Sequence, residues 1–164
     1  MPANANRVTD ENPLLSGQEG AIDDGVYTHL SAKNAIANFG VFVARDGATD
    51  NVVVGNDKVI GASIHSADDR GNADAITGLP QGVRGSQKVA VAYKGRVIMR
   101  TVVGKAPAVG AVAYVDTAGL ITNEEGSNME LVGGVIVESE GSRLGANQVD
   151  VRLTGQSPIT VTPA

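Results

Sequence analysis

Apolar and polar residues alternate along short segments of the chain from residue 40 onward. Ile60, Ala62 and Ile64 occupy every second position, and residues 148–153 follow the same period. A period of two is the pattern of a half-buried β-strand, and turn dipeptides such as the Asp-Gly at 46–47 end these runs. The pattern predicts about eight to ten short strands at intervals of roughly 8–12 residues, which is typical of an antiparallel β-sandwich or barrel.

Glycines and the C-terminal residues add local detail to this prediction. Segment 88–103 is predicted to form two strands joined by a hairpin turn at Lys94-Gly95. Inside the strand predicted at 129–138, the pair Gly133-Gly134 indicates a bulge or the close approach of another backbone. Residues 159–161 lie between two prolines and predict one further, added strand.

A weak internal similarity links two parts of the chain. Residues 40–48 resemble residues 110–118, and residues 59–64 resemble residues 131–136 after a similar gap. Each part contains a strand, a turn with Asp, a second strand, a loop and an apolar strand with a central Gly. Either the fold has two pseudo-equivalent halves packed face to face, or two strand patterns have converged by chance.

The alternating segments define a central domain with an extension at each end. Residues 39–155 are predicted to form the β-sandwich domain, residues 156–164 a C-terminal tail and residues 1–38 an N-terminal arm. The arm has no period of two. Its scattered apolar residues include Val8, Leu14, Leu15 and Ile22. We expect the arm to be ordered where it docks on a surface, with a helical turn at 31–38; the alternative is a frayed terminus.

Composition strengthens the all-β prediction and excludes several functions. Val and Ile together number 32 against 8 Leu, and 21 of 164 residues are Gly, a combination that favours strands and tight turns over helices. The chain has no Cys, which excludes a disulfide framework and a Cys nucleophile. Its longest apolar run has five residues, whereas a membrane span needs about 20. No secretory signal is visible, so we expect no membrane partner.

The charge of the chain restricts its partners further. A net charge of −5 and an aromatic content of 3% argue against nucleic acid as a partner and against the stacking of sugars on aromatic rings. Positive charge gathers locally at Lys94, Arg96 and Arg100, and the last two share a strand face. These cations form either a solvated sheet face or a stripe that contacts an acidic partner.

Two groups of residues are candidates for chemistry, and neither completes a motif. Ser63 and His65 share a strand face, but the second Gly of a nucleophile elbow is missing, as is a partner to orient the histidine. A polar loop predicted at 66–87 contains four oxygen-bearing side chains that suit Ca²⁺, namely Asp68, Asp69, Asn72 and Asp74. Their spacing is not that of an EF-hand, and a solvated acidic loop is the alternative. We therefore predict no enzymatic activity and no cofactor.

Several strand and turn motifs follow one another in a distinctive order. They are Tyr-Lys-Gly-Arg-Val at 93–97, Gly104, Ala-Val-Gly-Ala-Val-Ala-Tyr-Val-Asp-Thr-Ala-Gly-Leu-Ile-Thr at 108–122, Gly-Gly-Val-Ile-Val-Glu at 133–138 and Val-Asp-Val-Arg-Leu at 149–153. Segments 13–22 and 39–43 fit more loosely. In this order and spacing, residues 13–154 resemble the structural cement (capsid decoration) proteins of tailed bacteriophages. The chain departs from that pattern at Ala113, where a larger apolar residue is usual, and in the extended loop at 66–87.

The resemblance implies an all-β, jelly-roll-like sandwich that binds the outside of an assembled capsid shell, without enzymatic activity, as a dimer or trimer. Its partners would be the major capsid protein and further copies of itself, and its location the virion after synthesis in the host cytoplasm. Under this hypothesis, apolar residues of the arm and tail contact capsid subunits or neighbouring copies, namely Val8, Leu14, Leu15, Ile22, Ile159 and Val161. The alternative is a β-sandwich adhesion module that recognises a carbohydrate or host surface with Ca²⁺ in its acidic loop.

Overall fold

A computed structural model describes residues 26–64, 82–139 and 144–164, and these residues form β-strands without a helix. The strands are β1 (Val26–Ala32), β2 (Phe42–Arg45), β3 (Asn51–Val54), β4 (Val59–Ile64), β5 (Lys88–Arg100), β6 (Tyr114–Val115), β7 (Ile121–Thr122), β8 (Met129–Leu131), β9 (Gly134–Glu138), β10 (Gln148–Thr154) and β11 (Thr160–Val161). The predicted all-β fold class is confirmed.

The larger of two sheets closes partly on itself. Its seven strands follow the order β1-β3-β2-β4-β5-β10-β9, and β1 pairs with β5 as well as with β3. Val91 of β5 accordingly lies between Thr28 on one side and Ser63 on the other. The strands β1, β3, β2, β4 and β5 therefore form a closed ring, from which β10 and β9 extend. All neighbours are antiparallel except β1 and β3.

Strand β5 is continuous, so the hairpin predicted at Lys94-Gly95 is wrong. Residues 88–94 pair with β1, whereas residues 94–100 pair with β10, and Gly95 lies opposite Leu153 in that ladder. Gly95 has a φ of 106°, which only glycine adopts readily. The residue that suggested a reversal of the chain instead lies where one strand changes its partners.

Both faces of β5 are buried at residues 89–92. Val89 and Val91 belong to one apolar cluster with Val43 and Phe39, while Ala90 and Ala92 belong to a second cluster. A strand buried on both faces has a continuous apolar run in place of alternation, which explains residues 89–92, whereas Tyr93 at the end of the run is exposed.

The smaller sheet packs against the larger one through the second cluster. Its strand order is β11-β8-β6-β7. It contributes Val115, Ile121 and Leu131 to a core that also contains Met99 and Val151 of the larger sheet. The two sheets thus share one core, as a sandwich requires, while the predicted jelly-roll-like connectivity stays a prediction.

The last third of the predicted arm is part of the larger sheet. Residues 26–32 form β1, and Ile36 makes a bridge to Val83 with two backbone hydrogen bonds of 2.9 Å. The helical turn predicted at 31–38 is wrong, because the backbone of this segment is extended and completes the ring. The side chains of Ala32 and Ile36 are buried there. The domain boundaries after residues 38 and 155 stay predictions, with β1 and β11 lying on the outer side of each.

The two similar parts of the sequence have the same strand pairing. β2 pairs with β3 and β4, and β6 pairs with β7 and β8. The turns also correspond, since the N–H of Asp46 donates to Asn51 O and that of Asp116 donates to Leu120 O, both at 2.9 Å. This correspondence favours two pseudo-equivalent halves, one in each sheet.

Candidate functional site

The C-terminal segment is held within the smaller sheet. Ile159 is only 2% exposed and lies in the shared core. Its carbonyl oxygen accepts hydrogen bonds from the N–H groups of Val132 and Gly133, each at 2.9 Å. The strand predicted at 159–161 is confirmed, and its partner is β8 of the same chain. Ile159 therefore stabilises its own domain, whereas Val161 stays half-buried at the surface.

Gly133 allows this close approach of the tail. A Cβ atom at Gly133 would lie 2.8 Å from the Cα of Ile159, which no side chain permits. Thr160 adds a further attachment, because its Oγ1 donates to the carbonyl oxygen of Asn56 at 2.7 Å. The close backbone approach predicted at Gly133-Gly134 is confirmed.

The remaining predicted contact residues cannot be placed on this fold. Val8, Leu14, Leu15 and Ile22 lie outside the described residues, as do His65 and the acidic loop residues Asp68, Asp69, Asn72 and Asp74. The docking role of the arm residues stays a prediction, and the candidate base His65 and the candidate Ca²⁺ loop stay the alternatives that the sequence analysis did not favour. Within residues 26–64, 82–139 and 144–164, no three potential ligands cluster in a way that would hold a metal ion.

Ser63 has a structural role. It is fully buried, and its Oγ donates to Val41 O at 3.0 Å while accepting from Val41 N–H at 3.3 Å. Both capacities of the hydroxyl are thus used to join β4 to the chain before β2. This arrangement does not suit a nucleophile, which needs a base within hydrogen-bond reach.

The predicted stripe of cations lies on the outward face of β5. Val97 and Met99 point into the core, so the alternate residues Arg96 and Arg100 point away from it, as predicted. Arg96 forms an ion pair with Asp150, which is fully buried. This pair neutralises the one carboxylate that the sheet buries beneath the stripe.

Leu144, which precedes β10, lies over the stripe between its two arginines. Leu144 covers Ile98, which lies between Arg96 and Arg100 on the same face. On the far side of Leu144, Arg100 is half-buried and its Nε has no hydrogen-bond partner in the described part of the chain. Burial lowers the pKa of the Arg100 guanidinium. Lys94 is therefore the exposed cation of the stripe, whereas Arg96 and Arg100 are both half-buried.

Strand β10 adds a cation that the sequence did not single out. Arg152 is exposed and lies directly opposite Arg96 in the ladder, and Thr154 lies opposite Lys94. We call Lys94, Arg96 and Arg152 the basic face. The alternation of residues 148–153 predicts that Arg152 faces outward. The position of Arg152 opposite Arg96 could not be predicted in this way, because the two residues are far apart in the chain.

The outer face of the smaller sheet has the opposite charge. Val115 and Leu131 point into the core, so Tyr114 and Glu130, which lie opposite each other, point outward. Burial raises the pKa of Tyr114, and the nearby charges of Glu125 and Glu130 raise it further. We call Tyr114, Glu125, Glu130 and Val161 the acidic face. The sequence analysis singled out only Val161 among them.

Exposed apolar side chains flank the basic face. Val135 of β9 is 48% exposed and lies opposite Arg152. Beyond β9, Gly110 N–H donates to Ile136 O at 3.0 Å, and this segment carries the exposed Val109.

The described strands and loops include no helix that is long and apolar enough to cross a membrane.

Comparison with solved structures identifies the same fold in a phage capsid. The chain superposes on a protein from "The capsid of Myoviridae Phage XM1" with a TM-score of 0.65 and 17% identity, covering 93% of this chain and 97% of that one. A weaker similarity, with a TM-score of 0.42 and 14% identity, is to the head fiber gp8.5 N base of bacteriophage phi29, covering 80% of this chain and 96% of that one. A search of curated proteins found no match.

Comparison with family models extends this result to the sequence. The model described as structural cement protein (E217 gp24/Pam3 gp6) matches residues 9–154. The match spans most of the chain, including every strand from β1 to β10 and Gly133, which admits the tail. The resemblance inferred from strand and turn motifs is confirmed, and the chain belongs to the family of phage structural cement proteins.

Proposed function

We propose that this protein binds the outer surface of an assembled phage capsid and holds neighbouring shell subunits together against the internal pressure of the genome. The observation that carries this proposal is the family match over residues 9–154, since that family is described as structural cement. The proposal places the protein in the virion, with the major capsid protein as its principal partner. It also includes association with further copies of the same chain, as a dimer or trimer.

The fold supports a mechanical role. The ring of β1, β3, β2, β4 and β5 has no open edge, and the sheet is buried on both faces at residues 89–92 of β5. Close packing on both faces resists deformation, because interiors of this density have low compressibility. A domain of this kind transmits force between two attachment points with little change of shape.

Attachment in this proposal depends on many weak contacts. A single apolar arm contact is weak, but repetition on a symmetric shell raises the effective concentration of each contact for the next. Val8, Leu14, Leu15 and Ile22 of the arm are the proposed attachment residues, together with Val161 at the surface of β11. Ile159 retains only an indirect part, because its side chain lies in the core.

The proposal includes no enzymatic step. Ser63 is the only member of the predicted Ser63–His65 pair within the described residues, and both capacities of its hydroxyl are used by Val41. A cement protein needs affinity and rigidity, and neither requires a reactive group. Loss of activity on changing Ser63 or His65 would contradict this part of the proposal.

Co-sedimentation with assembled, undecorated capsids tests the function. The wild-type chain is expected to bind saturably, at a fixed ratio to the major capsid protein. Leu14→Ser combined with Leu15→Ser should weaken binding sharply, whereas the matched polar changes Asn4→Ser and Asn6→Ser should not. Binding that is absent in the wild type would refute the proposal. Equal binding by both variants would refute the role of the arm alone.

A further inference from the structure

The first part of β1 extends beyond the closed ring. β1 pairs with β3 only at Ser31 and Ala32, whereas its ladder with β5 begins at Val26. Residues 26–30 therefore have β5 along one edge, while their other edge extends past the beginning of β3. We call residues 26–30 the β1 overhang.

The outer edge of the β1 overhang presents unpaired backbone groups. Lys33 N–H donates to Val52 O at 2.9 Å, on the side of β3. Backbone groups point alternately to the two edges of a strand, so Tyr27 and His29 direct their N–H and C=O groups to this same side, away from β5. Within the part of the chain that the structure describes, these groups have no hydrogen-bond partner. An unpaired edge of this kind is a template for pairing with another chain.

The β1 overhang is also exposed and free of formal charge. Val26 is 38% exposed and Tyr27 is 49% exposed, and the neighbouring Tyr93 of β5 is 40% exposed. No residue of the overhang is Asp, Glu, Lys or Arg, although natural edge strands commonly carry such charges to prevent pairing. The net charge of −5 opposes contact between copies of this chain. An uncharged edge is where two copies can approach each other most closely.

Two other sheet edges are covered by the chain itself. At β9, Gly110 N–H donates to Ile136 O at 3.0 Å, and at β7, Val102 N–H donates to Ile121 O at 2.8 Å. Loop backbone thus occupies positions at which another strand could have been added. The β1 overhang differs from these two edges because no described segment of the chain covers it.

The order of residues in the β1 overhang is self-complementary about Thr28. When two copies lie antiparallel with their Thr28 residues opposite each other, Tyr27 of one copy lies opposite His29 of the other. Each such pair then exchanges two backbone hydrogen bonds. Within one copy, the rings of Tyr27 and His29 already contact edge to face, with centroids 5.7 Å apart. Pairing therefore brings four rings together on one face of the joined strands, where aromatic contacts add stability.

We infer that the β1 overhang pairs antiparallel with the overhang of a second copy and joins the larger sheets of the two copies. The inference deepens the self-association that is part of the proposed function and rests on it. Pairing about a two-fold axis is isologous and closes at two copies, so it selects a dimer. A second copy suits this edge better than an extended segment of the shell, because one two-fold axis pairs the backbone groups and rings of both copies at once.

Disulfide trapping tests this pairing directly, because the chain has no Cys. The backbone groups of Thr28 point to β5, so the two Thr28 residues would form a pair without mutual hydrogen bonds, with Cα atoms about 4.5 Å apart. A disulfide bridges that distance, and oxidised Thr28→Cys is therefore expected to form mainly covalent dimers in solution. Thr117→Cys is the matched control, since Thr117 is exposed in the turn between β6 and β7, and it should form few.

Sedimentation equilibrium of charge variants gives a second, independent measurement. Combining Tyr27→Lys with His29→Lys places cation opposite cation, so the Kd of the dimer is expected to rise about tenfold. Combining Tyr27→Glu with His29→Glu should have the same effect, whereas an equal mixture of the two double variants should form heterodimers. Val103→Lys combined with Val112→Lys is the control, because it also changes exposed apolar residues, and its Kd should stay close to that of the wild type. Circular dichroism verifies that each variant is folded.

The outcomes separate this inference from the proposed function. If the wild type is a monomer or a trimer in solution, or if Thr28→Cys forms no more covalent dimer than Thr117→Cys, the inference is refuted even when the wild type binds capsids. If the wild type is a monomer and the double lysine variant at 27 and 29 loses capsid binding, the overhang receives a strand of the shell and the inference is wrong. Covalent dimers of Thr28→Cys without any wild-type binding to capsids would refute the cement function alone.

Discussion

Replacing Ile159 with alanine tests whether the tail strand stabilises the domain. The side chain is 2% exposed and packs among core residues of both sheets, so its removal loses buried apolar contact and leaves a cavity. Changes of this kind lower the free energy of unfolding by about 2–5 kcal/mol. The value is expected in the upper half of that range, because the backbone hydrogen bonds to Ile159 O hold the strand in place and limit collapse around the cavity.

Urea denaturation measures this effect, with the midpoint and slope fitted separately for each variant. Ile159→Val should lose about 1 kcal/mol, since it removes one methylene group. Val161→Ala is the matched control on the same strand, where the side chain is half-buried, and it should lose less than about 1 kcal/mol. Val103→Ala, at a side chain that is 78% exposed, should stay within about 0.5 kcal/mol of the wild type.

An Ile159→Ala variant as stable as Val161→Ala would refute this reasoning. If that variant kept its stability but lost capsid binding, Ile159 would be a contact residue, as the sequence first suggested. Loss of stability with capsid binding retained at low temperature would assign Ile159 to the core and leave Val161 as the surface residue of the tail.

Three further predictions concern other contacts. Gly61→Ala should lower the free energy of unfolding by about 3 kcal/mol, because the added Cβ would lie 2.4 Å from a backbone carbonyl oxygen of β5. A Cβ at Gly55 would meet open space, so the control Gly55→Ala should stay within about 1 kcal/mol of the wild type. Equal melting temperatures for these two variants would contradict the prediction. Arg96→Met should lose on the order of 3 kcal/mol in urea, because it removes the guanidinium that forms an ion pair with buried Asp150. Adding Asp150→Asn should recover part of the loss, and no recovery would assign the loss to packing. Burial and nearby glutamates raise the pKa of folded Tyr114 above its ordinary value of 10.0, so this group's contribution to stability is present below pH 10.0 and is lost as pH rises through the folded pKa. As pH rises through that pKa, the Tyr114→Phe variant should therefore lose less stability than the wild type. Free energies of unfolding that fall in parallel with pH in the two proteins would contradict the assignment of this pH dependence to Tyr114.

Local pattern predicted the strands but not their partners. The alternation at 148–153 matches β10 (Gln148–Thr154) to within one residue, because its Val149 and Val151 face the core and Arg152 faces solvent. Residues 89–92 lack alternation because both faces of β5 are buried there, and no short stretch of sequence reveals that a second layer covers the outer face. Ring closure is equally invisible, since β1 and β5 are separated by some 60 residues along the chain.

The residues of the candidate surfaces could likewise be predicted only where local pattern, and not strand pairing, determines their position. The shared face of Arg96 and Arg100 followed from parity along one strand and is confirmed. Arg152 was not singled out because its significance comes from lying opposite Arg96, which requires knowing that β5 and β10 pair. Ile159 was predicted as a surface contact because a short apolar segment between prolines does not reveal that Gly133 admits it to the core.

The central position of β5 has a consequence for synthesis on the ribosome. This strand is made well before β10 and β11, yet its second half has β10 as its ladder partner, and Ile159 fills the core beside it. Translation adds only about 5–20 residues each second, so the earlier strands wait several seconds with apolar surface uncovered. Chains that stop before β10 leave that surface permanently open, which marks them for chaperones and proteases. Folded copies therefore come only from chains in which β10 and β11 have been translated.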